Sequence, residues 1–260
     1  MDPSIPSFLS PFMAVGTTLT LAALLFGLDR SLKMANWSVQ DRVKTVVFTA
    51  VLVAVFYLAA LLPASAGLYH RTGTQPSIIQ LLTMPFGILS PIVIGILLFV
   101  WWSPLRRLIA TVPQQWIVGL QLYRTLGIVF LILLSMDRLP REFALPAGAG
   151  DIFVGLAAPV VATAVIRKWR SANALLLTWN LLGLLDLVTA VATGFLTSPS
   201  PLQRLALDRP NELINQYPLV MVPVFLVPLA ILLHLASLQK LREARSTQKS
   251  ANHSAVGQHA

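Results

Sequence analysis

Residues 81–102 read LLTMPFGILSPIVIGILLFVWW, a run without a single charged side chain. An α-helix needs about 20 consecutive apolar residues to cross the hydrocarbon layer of a bilayer, and this run supplies them. Working outward, comparable stretches recur along the whole chain of 260 residues. Hydrophobic residues make up 56% of it and charged residues only 11%, against roughly 25% in soluble domains. The mean hydropathy is +0.74. A soluble fold of this length needs a charged surface that the sequence does not supply. In lipid every backbone polar group must be satisfied within the chain, so long apolar runs fold as helices. The sequence therefore predicts an all-α integral membrane protein, a seven-transmembrane-helix bundle.

The predicted spans are Phe12 to Leu28, Val43 to Ala66, Ile78 to Trp102, Trp116 to Met136, Gly150 to Ile166, Ala174 to Leu196 and Tyr217 to Leu238. Basic residues gather in every second connection: Arg30, Lys33, Arg42 and Lys44; Arg106 and Arg107; Arg167, Lys168 and Arg170; Lys240, Arg242, Arg245 and Lys249. The alternate segments hold Arg71, Arg138, Arg141, Arg204 and Arg209. Cytoplasmic loops carry the excess of Lys and Arg, which predicts an N-terminus outside and a C-terminus in the cytoplasm. Trp37, Trp101, Trp102, Trp116 and Trp169 fall near the same boundaries, where indole rings favour the headgroup region. The N-terminal segment has no Lys or Arg and lacks the basic region of a signal peptide, so the first span is expected to stay. Residues 1–245 form one transmembrane domain in this plan. Residues 246–260 form a polar cytoplasmic tail, expected to be disordered after a short helical continuation to Arg245. A plasma or bacterial inner membrane is the expected location.

The net charge of +9 is explained by this loop asymmetry, and no nucleic-acid-binding signature accompanies it. Cysteine is absent, which removes thiolate catalysis and Cys-ligated metals. No HExxH, GxSxG, Walker or dinucleotide motif occurs, and no metal is expected. A retinal Schiff base in the last helix requires a buried Lys, and none lies between Tyr217 and Ala236. His70 and His234 fall near opposite ends of the plan. His70 reads as interfacial, and His234 as a packed residue with a conceivable proton-relay role. The sequence specifies neither a cofactor nor a protein partner; membrane lipids are the expected surroundings.

Function must then be argued from polar residues inside the spans. Arg124 lies about 12 Å from the cytoplasmic start of the fourth span, at 1.5 Å per residue. A permanent cation at that depth must pair, snorkel or line a wet cavity. Gln121 and Gly127 flank it at spacings of three and share its face. Asp186 lies about 18 Å into the sixth span, so the two depths differ by about 6 Å, within reach if the helices touch. Gly183, Thr189, Thr193 and Asn180 give that span a face turned to protein or water. A structural ion pair, a transport or ligand site and a catalytic site all remain open.

The segment 139–155, LPREFALPAGAGDIFVG, reads as a break before the fifth span, with Asp151 capping its first turn. The functional version places Asp151 with Arg138, Arg141 and Glu142 in an external vestibule. Pro85 and Pro91 in the third span, and Pro218, Pro223 and Pro228 near the seventh, predict kinked or interrupted helices. The connection from Pro199 to Pro218 reads as a covering loop, with room for one or two short interfacial helices. The leading expectation is movement of a small solute or ion, possible with proton coupling, through a polar site formed by Arg124, Asp186, Gln121 and Asn180. The alternatives are a non-enzymatic scaffold or sensor, and a lipid-modifying enzyme acting beside Asp151.

Overall fold

The computed structural model describes residues 5–70 and 78–257. Nine α-helices follow in order among them. They are α1 (Leu9–Met34), α2 (Val39–Ser65), α3 (Ile78–Trp101), α4 (Ser103–Thr111), α5 (Gln114–Leu120), α6 (Ile128–Ser135), α7 (Arg141–Ile166), α8 (Ala172–Thr197) and α9 (Val227–Gly257). A 3-10 segment, Gln121–Gly127, joins α5 to α6, and a π-turn, Val222–Leu226, leads into α9. Counting the joined pieces as single spans, seven helices are long and apolar enough to cross a membrane. The protein is thus a multi-span, all-α membrane protein.

Local signals explain the entries. Ser38 caps α2, its side chain accepting from the Asp41 N–H at 3.1 Å. Pro104 stands in the first turn of α4, where a missing N–H costs nothing. The fourth span is not one regular helix: the 3-10 segment occupies its middle. In the seventh span, Pro223 lies within the π-turn, and regular helix resumes only at Val227. The third span is continuous through Pro85 and Pro91, so of the kink or interruption expected there the interruption is not formed. Neighbouring helices and local adjustment allow prolines inside membrane helices.

The fifth span also corrects the sequence reading. Helix α7 begins at Arg141, runs through Pro146 and is already well established at Gly150. Its Ala144, Ala147 and Gly148 are buried, and a Cβ at Gly148 would stand 3.2 Å from the Gly127 carbonyl. Close backbone packing through small residues is a principal source of helix association in lipid, and here it overrides the local breaking signals. Asp151 consequently belongs to the middle of a helix and caps nothing.

The spans formed by α5–α6, α7, α8 and α9 make the inner bundle, while α2 and α3 are largely exposed. One apolar layer joins Leu9, Phe130, Phe143, Leu219 and Phe225. A second, nearer the end with the basic loops, joins Val118, Val154, Val161, Leu176 and Trp179. The loop after α8 folds back as a cover, with one 3-10 turn at Leu213–Asn215 and the Asn211 N–H donating to the Thr197 carbonyl at 2.9 Å. Helix α9 extends to Gly257, past the Arg245 end anticipated from composition.

Candidate functional site

Between the two apolar layers lies a polar centre built around Arg124. The 3-10 segment places it there. Residues three apart eclipse one another in this geometry, so Gln121, Arg124 and Gly127 stand in one line, and all three are buried. Gly127 supplies clearance, because a Cβ there would collide with the Asp151 side chain. Gly150 does the same for Asp186, and Gly183 for the His234 ring. Three glycines on three spans thereby make room for three ionisable side chains.

The Arg124 side chain is 1% exposed. Its Nε donates to Asp151 Oδ1 at 2.7 Å, and Nη2 donates to Asp186 Oδ2. Nη1 donates to the Gly183 carbonyl at 3.3 Å and reaches His234 Nε2 at 3.2 Å. Four of the five N–H groups of a guanidinium are used in this way. Since that group has no acceptor, His234 Nε2 must accept, which assigns the ring proton to Nδ1 and makes it the donor to Asn180 Oδ1 at 2.9 Å. Asn180 Nδ2 then donates to Ser237 Oγ at 2.9 Å, as does Gln114 Nε2 at 2.6 Å. A continuous hydrogen-bonded ladder therefore runs from Arg124 to the start of α5, at the basic end of the bundle.

All the charged members lie deep. Asp151 is ten residues into α7, or about 15 Å from its start, and Asp186 is about 21 Å from the start of α8. One cation faces two carboxyl groups, so the centre carries an excess negative charge unless one proton is held there. Nothing else charged offsets it within the hydrogen-bonded group. Two small cavities flank Asp151, of about 20 Å³ and 50 Å³. The larger continues toward Ser198 and Asn215, away from the basic end. A water requires roughly 10–15 Å³ on this measure, so the spaces suit single waters or a few, and no larger guest.

The sequence pairing of Arg124 with Asp186 is present, and Asn180 joins them through His234. Gln121 shares the line of Arg124 but turns to α9, where its Nε2 donates to the Ala230 carbonyl at 3.1 Å. Asp151 is brought to this centre rather than to an external vestibule. Arg141 and Glu142 stay exposed at the far end of α7, and Arg138 precedes that helix, so the proposed grouping of Asp151 with them is not formed. The reason is the continuous helix, which carries Asp151 inward. Thr189 and Thr193 bond to carbonyls of their own helix and take no part.

Ser237, Gln114 and Tyr123 have no place in the sequence reading of the site, and His234 enters it only as a packed residue with a conceivable proton-relay role. Tyr123 donates to the Leu226 carbonyl in the π-turn at 2.7 Å, tying the two irregular segments together. The available signal was the spacing of three between His234 and Ser237, matched by Asn180 and Gly183 on the neighbouring span. Among the described residues no cluster of His, Asp and Glu has the makings of a metal site.

No curated protein and no solved structure matches the chain. A family model matches residues 81–242, well over half of the chain and a segment that contains every group of this centre, and the protein belongs to that family, described as a domain of unknown function (DUF8737).

Proposed function

We propose that the protein moves a small solute or ion across a plasma or bacterial inner membrane, with a proton taken up and released at the Arg124–Asp151–Asp186 centre. In this reading the N-terminus is outside and the C-terminus cytoplasmic, following the basic loops. The observation that carries it is one guanidinium bonded to two carboxyl groups at mid-membrane. Ionisable groups at such depth are costly and mark ion or proton pathways. A proton shared by the carboxyl pair makes the centre neutral; its loss leaves one uncompensated charge that favours a rearranged, wetter state. The irregular backbone that carries Arg124 supports the same reading, since broken helices occur where transporters hold their substrates. The reading is supported by the polar ladder on one side of the centre and the small cavities on the other, which are the places where a proton or a water could approach it. Their size describes an occluded state that admits a proton or water.

The test is proton flux into proteoliposomes carrying an internal pH indicator, driven by gradients of candidate ions and solutes. A flux that depends on the protein and disappears in Asp186→Asn, with expression and folding intact, is the expected result. Unchanged flux in that variant overturns the role of Asp186.

A second reading, a non-enzymatic scaffold or sensor, is favoured by the enclosure of Arg124 and by its four satisfied N–H groups. There the centre fixes helix register only. It predicts no flux in either protein and a loss of stability in the variant.

A further inference from the structure

We propose that the chamber between α2, α3, α5 and α9 binds one anionic phospholipid, its acyl chains inside and its phosphate at Arg242. The chamber has a volume of about 1490 Å³, above the roughly 300–1,000 Å³ of pockets for drug-sized ligands. It shares no lining residue with the Arg124 centre and does not depend on the transport reading. Its walls are apolar along their length, with Val53 and Phe56 from α2, Ile94 and Leu98 from α3, Leu120 from α5 and Leu233 from α9. A space of this size cannot stay empty without forfeiting dispersion contacts, and its walls offer water few partners. Acyl chains are the apolar material at hand in a bilayer.

The two ends of the chamber differ. One is bordered by Leu68 and Tyr69; the other is rimmed by Gln115, Gln239 and Arg242. Arg242 is the one charged residue in the lining, is exposed, and makes no hydrogen bond or ion pair with the protein among the described residues. The same mouth is roofed by α4, whose Leu105, Leu108 and Ile109 line the chamber together with Val112 just beyond its end. Lys240 fixes that roof, its Nζ donating to the carbonyls of Ile109 at 3.1 Å and Ala110 at 2.8 Å. Apolar length beneath a guanidinium that has no partner among the described residues is complementary to a lipid with a negative headgroup. A short amphipathic helix at the mouth fits the level of the headgroups.

Native mass spectrometry of the full chain in mild detergent, titrated with phosphatidylglycerol or phosphatidylcholine, tests the assignment. One phosphatidylglycerol is retained, and phosphatidylcholine binds several-fold more weakly. Arg242→Gln lowers phosphatidylglycerol affinity about fivefold, the factor that one surface cation contributes toward an anionic lipid, and leaves phosphatidylcholine unchanged. Ala59→Trp, which places a bulky ring in the wall of the chamber and narrows it, weakens both. Equal binding of the two lipids, unaffected by Arg242→Gln, overturns the proposal. So does efficient cross-linking of Ser90→Cys to a second copy in bilayers containing phosphatidylglycerol, since a protein then occupies the space; the native chain has no cysteine to confuse that readout.

Discussion

Arg124 answers to two carboxylates at once, which sets what its loss should do. In Arg124→Ala, Asp151 and Asp186, each with only 14% of its side chain exposed, lose their cation, and breaking a largely buried pair in this way costs about 3–5 kcal/mol. Unfolding in detergent should show that loss, whereas a stability equal to the native protein's would mean the three groups are not bonded. Arg124→Lys should recover only part of it, because an ammonium cannot reproduce the planar fork that reaches Asp151 and Asp186 from different nitrogens. The Arg124–Asp186 contact was legible because both spans start from the same end, so depth could be counted from residue numbers. Asp151 was not: in AGAGD the local signals spell a turn, and only the packing of Ala144, Ala147 and Gly148 shows that the helix continues. His234 was hidden for a related reason, since a lone histidine in an apolar span gives no sign of what it meets across the interface.

At the scale of elements, α7 and the 3-10 segment approach closely enough that glycine is required. A Cβ at Gly155 would stand 2.8 Å from the Thr125 backbone nitrogen, so Gly155→Ala should destabilise by about 1–3 kcal/mol through overpacking. Gly119 has open space around it in α5. Gly119→Ala should be neutral or stabilise by up to about 1 kcal/mol, from helix propensity. Paired unfolding curves check both, and equal effects would contradict the close approach. The seven spans were readable from apolar length alone. The irregular backbone was only partly so: the prolines announced the disturbance before α9, but nothing in GLQLYRTLG announces the 3-10 segment, and the prolines of α3 suggested a kink or break where the helix runs on through both.

At the scale of the molecule, the proposed orientation predicts opposite exposure for single cysteines placed in two connections. In intact cells, Leu207→Cys should react with a membrane-impermeant maleimide added outside, and Asn36→Cys only after permeabilisation. The reverse pattern would invert the route proposed through the bundle. The central claim is that the buried carboxyl pair exchanges a proton, and infrared titration of the carboxyl stretch in reconstituted protein tests it most directly. A protonated carboxyl band that appears and disappears with pH, and is lost or shifted in both Asp151→Asn and Asp186→Asn, is the predicted result. A spectrum unchanged with pH, and unaltered by either substitution, would contradict it.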